Sequence, residues 1–225
     1  MAEKLKEELM SKTVFTLFGV LPVRMSTIVT WGIMIFIMII TLIFVRNLKV
    51  VPNKKQVVIE SLVGFIYNFI YESVGKAGKR YIPYLGTVLI YLAIANTVGL
   101  FGLTPPTKDL NVTAALALMS IVLIEYSGIR EKKLSGYLKS FMHPTPIMLP
   151  FNILEIFIRP LALCMRLFGN IFGGFVIMEL IKLLIFPGIV PVPFSFYFDI
   201  FDGLLQAYIF VFLTSLFMEE KLAHE

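Results

Sequence analysis

The sequence has little charge and few of the side chains that carry chemistry in soluble proteins. Only 16% of its 225 residues are charged, whereas about a quarter are charged in a typical soluble domain. It contains one cysteine, one tryptophan and two histidines, while 58% of its residues are hydrophobic. A soluble fold of this length could not bury so much apolar surface, because many of its residues must face water. Lipid is therefore the predicted solvent of most of the chain.

These shortages exclude several classes of protein. A single cysteine cannot build a disulfide framework, which excludes a small secreted disulfide-rich domain. The high apolar content excludes a disordered tail. The net charge of +5 then reflects basic loops of a membrane protein rather than a nucleic-acid surface. Cys164 itself lies in an apolar run, which favours a packing role.

Five apolar runs are long enough to cross a bilayer, whose core of about 30 Å requires roughly 20 helical residues. The first, residues 26–45, is uncharged and follows a basic tail. It is too long for the apolar part of a signal peptide and no cleavage site follows it, so a retained anchor is predicted. The expected organisation is one all-α membrane domain over 1–225, with a tail at 1–25, the first span at 26–45, an amphipathic helix at 56–75, the second and third spans within 84–126, and a tilted helical hairpin at 149–218.

The segment at 56–75 differs from the runs around it. Its apolar residues are interrupted by polar side chains, among them Glu60, Asn68 and Glu72. This pattern favours a helix lying in the membrane interface, with a poor sixth span as the alternative. With five spans and the N-terminus outside, twelve Lys and Arg residues lie inside and five outside, which predicts a cytoplasmic C-terminus.

The first arm of the hairpin is too long for a plain span. Residues 149–186 would form a helix of more than about 50 Å, well beyond the hydrocarbon thickness. Such a helix must tilt, bend or run partly along the membrane. After a kink at Pro160 we expect one tilted rod, which suits a surface that follows a curved neighbour.

Polar side chains inside the hairpin are the candidate functional residues, because charges at membrane depth are costly and rare. On a helical wheel of about 100° per residue, the first arm carries one polar face and a second patch opposite it. The last helix carries a third polar face. The polar face of the first arm consists of Glu155, Arg159, Arg166, Asn170 and Gly173, and the opposite patch of Glu179 and Lys182. The polar face of the last helix consists of Asp199, Asp202 and Gln206.

Arg166 is the strongest candidate among them. It lies near the middle of an apolar helix, its guanidinium does not deprotonate, and no carboxylate stands three or four residues away. Water or an acid from another chain must therefore balance its charge. The other charges also have structural interpretations: Glu155 and Arg159 as a supporting ion pair, Glu179 and Lys182 as a surface pair, and Asp199 and Asp202 as interfacial residues.

A recognisable motif surrounds Arg166. Residues 163–174 read LCMRLFGNIFGG, an arginine followed by Leu, an aromatic residue, Gly and Asn. This motif resembles that of subunit a of the F-type rotary ATP synthase. Three further segments resemble the same family in the same order: PPTKDLNVTAALAL at 105–118, PFNILEIFIRP at 150–160 and QAYIFVF at 206–212.

The resemblance implies a stator beside a rotating ring of c subunits, each with a membrane-embedded carboxylate. It aligns Arg166 with the arginine that faces the ring, and Asn170 and Gln206 with its polar neighbours. Two aqueous half-channels, offset on either side of the arginine, would carry ions between the ring and the two membrane faces. The implied partners are the c-ring, the peripheral-stalk b subunits and the remaining ATP synthase subunits.

The chain is not expected to make ATP itself. It contains no Gly-rich Walker loop for a nucleotide, and neither a cofactor nor a metal site is predicted. It is interpreted as a non-catalytic, ion-translocating subunit of a two-sector ATPase in a bacterial plasma membrane. The predicted ion is H⁺, with Na⁺ as the alternative, because ion choice is expected to depend mainly on the rotor subunit.

This sequence departs from the family pattern in the positions of its acids. Many relatives carry a glutamate near the position of Phe175, and Glu179 lies one turn further along at a similar helical phase. Many also carry a histidine or an acid seven residues before the glutamine, where Asp199 stands here. The acid of the second span is missing, with Gly99 near its place. We therefore expect Asp199 and Glu179 to line one half-channel near the outer face, with Asp202 in the same ion pathway.

Three other functions fit the sequence less well. A secondary transporter usually shows paired repeats or broken helices in both halves, and the sequence shows neither. An intramembrane enzyme needs a serine–histidine pair, a zinc-binding helix or paired aspartates, whereas His143 and His224 fall in a loop and in the tail. A membrane assembly scaffold would not need Arg166 at mid-depth.

Overall fold

The chain is helical over most of its described length in the computed structural model, and the predicted all-α polytopic class is confirmed. His143, His224 and the predicted end of the first hairpin arm at residue 186 lie outside the described residues. The structure describes residues 13–17, 21–46, 49–50, 52–140, 147, 149–184 and 191–223.

The N-terminal tail contains a short hairpin that the hydropathy pattern does not reveal. Strand β1 (Thr13–Leu17) pairs antiparallel with strand β2 (Leu21–Arg24), and Leu17 lies opposite Leu21. The sequence of β1, TVFTL, consists largely of β-branched and aromatic residues, which favour strands. Strand β2 leads directly into the first helix.

Three helices follow the hairpin. Helix α1 (Met25–Val45) and helix α2 (Lys54–Val74) match the predicted first span and the predicted amphipathic segment to within two residues at each end. Gly75 ends α2 with a φ of 71°, a left-handed conformation that glycine adopts without strain. Helix α3 (Ile82–Thr97) is extended by a 3-10 turn, Val98–Phe101, and covers the predicted second span.

Helix α4 (Leu110–Ser140) covers the predicted third span and extends well beyond it. Asp109 caps its start, because the side-chain Oδ1 accepts a hydrogen bond of 3.1 Å from the backbone N–H of Asn111. The helix is interrupted at Lys133, whose φ of 57° and ψ of 161° lie outside the helical region. The chain therefore turns there, and Tyr137 follows beyond the turn.

The two hairpin arms differ in regularity. Helix α5 (Leu149–Leu184) is a single helix of 36 residues, about 54 Å long, and accommodates Pro160 in its interior. The second arm begins with α6 (Pro191–Ser195), continues as a π-helical segment (Phe196–Asp202) and ends as α7 (Gly203–Leu222). Such π segments are rare and often occur at functional sites.

Six helices within the described residues are long and apolar enough to cross a membrane. Five of them correspond to the predicted spans. The sixth is α2, whose predicted place in the membrane interface stays a prediction. The six segments are Met25–Val45, Lys54–Val74, Lys79–Phe101, Leu110–Lys133, Leu149–Ile181 and Pro193–Leu222.

Contacts group the described residues into two units, and several helices contribute to both. The first unit comprises Met1–Leu42, Ile90–Thr113 and Met165–Tyr208. Its apolar core includes Leu92 and Leu167, both fully buried. It also buries seven polar or charged residues: Ser26, Asn96, Thr107, Lys108, Asp109, Thr113 and Gln206.

The second unit comprises Ile43–Leu89, Ala114–Cys164 and Ile209–Glu225. Its fully buried side chains include Ile124 and Phe210. Cys164 is also buried, which confirms the packing role predicted for it. The charged and hydroxyl groups buried here include Ser73, Ser120, Ser127, Arg159, Thr214 and Ser215.

Asp109 joins three segments of the first unit. Its carboxylate accepts hydrogen bonds from Arg24 Nη1 at 3.0 Å and from Ser26 Oγ at 2.8 Å, in addition to the capping bond from Asn111. Burial by itself would raise the pKa of Asp109, but the bonds from Ser26, Asn111 and Arg24 outweigh it and the pKa is lowered. The carboxylate thus ties the end of β2 and the start of α1 to the start of α4.

We predict that Asp109→Ala lowers the free energy of unfolding by about 1 kcal/mol or more, because it removes a helix cap and leaves the Ser26 hydroxyl unpaired. Asp109→Asn, which retains a capping oxygen without the charge, should lower the free energy of unfolding by less. Thermal unfolding of the chain in detergent, followed by circular dichroism, measures both effects.

The stabilisation by Asp109 depends on pH, and its lowered pKa sets the direction of that dependence. Because the folded pKa of Asp109 is lowered, its advantage over the Asp109→Asn variant is fully present above the ordinary carboxyl pKa of about 3.9. That advantage should disappear as the pH falls through the lower pKa of the folded protein. Equal stability of the three proteins at pH 7 would contradict the proposed tie.

Candidate functional site

Arg166 lies on α5 with its side chain exposed. Within the described part of the chain it makes no hydrogen bond and no ion pair. A permanently charged guanidinium in a membrane helix is costly unless water or an opposite charge accompanies it. Its charge is therefore not balanced by any residue in the described part of the chain.

Arg159, on the same helix, has the opposite environment. It is 8% exposed, and its Nη2 lies 2.5 Å from Glu155 Oε2 and 2.7 Å from Glu220 Oε1. Its guanidinium also stacks over the Phe217 ring, 4.8 Å from the centroid. The sequence suggested Glu155 as its partner, while Glu220 is 61 residues away and gave no local signal. Of these two arginines, Arg159 is neutralised within the chain, whereas Arg166 has no opposite charge beside it among the described residues.

Asn170 and Gln206 join the two hairpin arms. Asn170 Nδ2 donates a hydrogen bond of 2.8 Å to Gln206 Oε1. Gln206 is fully buried, and its Nε2 has no acceptor among the described residues. Asn170 stands one helical turn after Arg166 on α5, so the amide pair lies beside the guanidinium. The buried amide pair thus ties the two arms together one turn from an exposed cation.

Asp199 lies in the π segment and fits against a glycine of another helix. Its Oδ2 accepts a hydrogen bond of 2.6 Å from Ser195 Oγ. A Cβ atom added to Gly99 would stand 2.6 Å from Asp199 Oδ1, closer than real Cβ contacts come. The carboxylate therefore occupies space that a side chain at position 99 would need. Gly99, where the acid of the second span is missing, and Asp199 are thus neighbours in the structure.

The other two candidate acids are half-buried. Within the described residues Asp202 has no hydrogen bond or ion pair, whereas Glu179 does interact with its surroundings. Lys182 is the partner that the sequence suggested for Glu179, and its side chain lies outside the described part of the structure. The helical wheel that placed Asp199, Asp202 and Gln206 on one face assumed a regular α-helix; it does not hold here, since both aspartates lie in the π segment.

A buried polar junction between α3 and α7 was not identified from the sequence. Asn96 Nδ2 donates to Gly203 O at 2.9 Å, and its Oδ1 accepts a bond of 2.9 Å from Thr107 Oγ1. A Cβ atom on Gly203 would stand 3.1 Å from Asn96 Cβ, so a glycine permits this contact. The junction fixes the point where the π segment ends. An asparagine inside an otherwise apolar run was the available signal.

Lys108 is a second functional candidate that the sequence did not indicate, because it was counted among loop charges outside the membrane. It is buried, and its Nζ lies 3.4 Å from the centroid of the Phe175 ring. The aromatic face stabilises the ammonium group through a cation–π interaction. A positive charge therefore sits where many family members were expected to place a glutamate.

The chain matches a family described as ATP synthase A chain over residues 27–219. It is 35% identical to ATP synthase subunit a of Moorella thermoacetica over 197 residues, which cover 87% of this chain and 89% of that protein. It is 37% identical to ATP synthase subunit a 2 of Bradyrhizobium sp. (strain BTAi1) over 206 residues, covering 90% and 91%. It is also 33% identical to "ATP synthase subunit a, sodium ion specific" of Propionigenium modestum over 214 residues, covering 88% and 74%.

We predict that Gly99→Ala displaces the Asp199 carboxylate and lowers the free energy of unfolding by about 1 kcal/mol, at the lower end of the cost of overpacking, because a carboxylate at the end of a side chain can move aside. Gly32→Ala is the matched control, because no atom lies within 4 Å of a Cβ at that position. Asp199→Ser combined with Gly99→Ala should recover much of the loss. Thermal unfolding of the wild type, these three variants and Asp199→Ser alone tests this, and additive effects of Gly99→Ala and Asp199→Ser would contradict the contact.

Proposed function

Since this chain belongs to the ATP synthase subunit a family, it is a membrane subunit of the ion-translocating sector, and we propose that it is the stator that exchanges ions with the rotating c-ring. In this proposal two offset half-channels lead from the two membrane faces to the ring. Arg166 stands between them. The reaction is ion transfer coupled to rotation, and ATP is formed on other subunits.

The observation that carries the proposal is the unpaired guanidinium of Arg166. An opposite charge nearby favours the ionised form of a carboxylate, so a rotor carboxylate that reaches Arg166 releases its ion there. An arginine keeps its charge when desolvated, whereas a lysine can lose its proton. The exposed side chain and the lack of a partner among the described residues support a place facing the ring.

The same charge prevents leakage between the half-channels. A cation that enters from either side meets a fixed positive charge and must leave on the rotor instead. One elementary charge crossing 100 mV is worth about 2.3 kcal/mol, so several ions must be combined through rotation for each ATP. A direct leak would dissipate that energy without rotation.

Asn170 and Gln206 have a positioning role in this proposal. Their hydrogen bond holds the two arms together one turn from Arg166. Asp199, Asp202 and Glu179 form the ion pathway on the outer side. The ion pair of Glu155 with Arg159 supports the helix that carries Arg166.

Membership in the family also indicates assembly with the c-ring and other ATP synthase subunits. We propose that the peripheral-stalk b subunits are among them, that the chain forms one multi-pass domain in the plasma membrane, and that its N-terminus lies outside and its C-terminus in the cytoplasm. The basic residues concentrated on the cytoplasmic side of this topology support it.

We predict that Arg166→Ala abolishes ATP-driven ion uptake into inverted vesicles, because the rotor carboxylate loses the charge that makes it release its ion. Arg46→Ala, which removes an exposed arginine just beyond α1, is the matched control and should leave uptake unchanged. Assembly of the complex is checked first by purification of the intact enzyme. Undiminished uptake by an assembled Arg166→Ala enzyme would refute the stator role of this arginine.

For the coupling ion we predict protons, with sodium as a second candidate because one relative is described as sodium ion specific. Proton coupling predicts ATP-driven acidification of inverted vesicles in sodium-free buffer, abolished by a protonophore. Sodium coupling predicts ²²Na⁺ uptake that a protonophore does not abolish. The measurement on wild-type vesicles decides between the two ions.

A further inference from the structure

Two segments of the second unit carry cations that no acid neutralises. One segment is the turn between α2 and α3, and the other is the part of α4 that ends at Lys133. We call their cations the Arg80–Arg130 cluster, which consists of Lys76, Lys79, Arg80, Arg130, Lys132 and Lys133. Within the described part of the chain none of the six is ion-paired, whereas Arg24 and Arg159 are.

The turn between α2 and α3 is compact. Gly75 ends α2 in the left-handed conformation, and a Cβ atom on Gly78 would overlap the side chain of Val74. The backbone N–H of Tyr81 then donates a hydrogen bond of 2.8 Å to the carbonyl of Gly78. Tyr81 is buried, while Arg80 before it is exposed. The turn therefore presents its cations on the surface above a packed base.

Tyr81 is the point at which this turn meets α4. Arg80 and Arg130 both lie within electrostatic range of its hydroxyl group. Tyr126 and Glu131, which flank Arg130 on α4, lie in that range as well. Two guanidinium groups from segments distant in the sequence thus share one neighbour. Such a pair suits a phosphate, because each guanidinium offers a planar fork of hydrogen-bond donors.

The cluster lies where two candidate spans reach the membrane surface. The span that contains α3 begins at Lys79, and the span of α4 ends at Lys133. Arg130 Nη1 donates a hydrogen bond of 3.1 Å to the hydroxyl of Tyr126. Tyrosine is enriched at the boundary between lipid and water. The Arg130 guanidinium is therefore held at the level of the lipid headgroups.

An exposed apolar stripe on α4 leads from Arg130 toward the interior of the membrane. Leu118, Val122 and Tyr126 precede it at intervals of four residues, and they are 57%, 66% and 51% exposed. Residues four apart are neighbours on a helix surface, so the stripe and Arg130 form one continuous surface about 18 Å long. A lipid acyl chain can lie along this stripe while its headgroup reaches the arginine.

The charge of the cluster favours an anion. Residues 72–80 and 126–133 contain six cations and two acids, Glu72 and Glu131. Cations held close together repel one another, and the repulsion is stronger beside lipid than in water because the dielectric constant is lower. A bound anion offsets this repulsion. Anionic phospholipids supply such a charge at the membrane surface, and basic groups beside spanning helices bind them.

We propose that the Arg80–Arg130 cluster and the α4 stripe bind one anionic phospholipid. Its phosphate is held by Arg80 and Arg130, and an acyl chain lies against Leu118 and Val122. In the topology proposed above, this lipid belongs to the cytoplasmic leaflet. A free phosphate ion would leave the apolar stripe unused, which favours the lipid as the occupant. Lipid binding requires no ion transfer, so the site does not depend on the stator role of Arg166.

Quenching of tryptophan fluorescence by brominated lipids tests this site. Trp31 is the single tryptophan of the chain, so Trp31→Phe combined with Val122→Trp leaves the only indole on the stripe. The purified full chain is reconstituted in phosphatidylcholine vesicles that contain dibrominated phosphatidylglycerol or dibrominated phosphatidylcholine. Bromine quenches an indole that it contacts, so the two lipids can be compared at position 122. The unchanged chain is the matched control, because Trp31 is 52% exposed on α1.

At position 122 we expect phosphatidylglycerol to be preferred over phosphatidylcholine about fivefold or more, the ratio that corresponds to about 1 kcal/mol for a cation near the membrane surface. Trp31 should show no preference. Arg80→Gln together with Arg130→Gln should remove the preference at position 122, and the same pair of lysine substitutions should retain part of it. Added salt should weaken the preference, because it screens charges at the surface.

Equal quenching by the two lipids at position 122 would overturn the proposal, and this comparison requires no arginine variant. The same preference at Trp31 would overturn it as well, since the attraction would then be general to the chain. A preference that survives both glutamine substitutions, in a chain whose helix content is unchanged by circular dichroism, would refute the role of the two arginines. Loss of the preference when inorganic phosphate replaces chloride at equal ionic strength would identify a site for free phosphate instead of a lipid.

Discussion

The cost of an uncompensated charge in a medium of low dielectric constant is the constraint on which this structure depends. The charge of Arg159 is compensated by two carboxylates and an aromatic ring. The charge of Asp109 is compensated by three hydrogen-bond donors. Lys108 lies over Phe175 for the same reason. Arg166 is treated differently, because nothing in the described chain offsets its charge. That exception is the physical basis of the proposed function, because an unpaired guanidinium can favour the ionised form of a carboxylate on another subunit.

Polar groups meet inside this bundle where helix packing leaves room for them. Gly99 admits the Asp199 carboxylate, Gly203 admits Asn96, and Gly128 admits both Tyr137 and Lys221. Two departures from regular helix geometry also place polar side chains inside the bundle. The π segment carries Asp199 and Asp202, and the turn at Lys133 brings Tyr137 within hydrogen-bond distance of Glu125. Regular helices with larger side chains at these glycines would separate the same polar groups. Close packing and local irregularity therefore bring polar groups together inside an otherwise apolar chain.

Helix α5 carries two arginines in different environments. Arg159 is ion-paired with Glu155 and Glu220. Arg166 has no partner among the described residues, and Asn170, four residues after it, is bonded to Gln206. At about 54 Å the helix is longer than a plain span, as its sequence predicts.

The sequence alone determined the helical membrane class, the approximate bounds of its helices, the long hairpin and the candidacy of Arg166, since hydropathy and short motifs depend on residues close together in the chain. It also indicated the acids of the last helix, although not their arrangement, because a helical wheel assumes a regular helix and the π segment is not one. The tertiary structure decided the partner of Arg159 at Glu220, the contact of Gly99 with Asp199, the bonds of Asn96 and the hydrogen bond of Tyr137 to Glu125. Each of these joins residues distant in sequence or lying across an irregular turn, and which of many polar residues meet is fixed by how helices pack rather than by any local pattern.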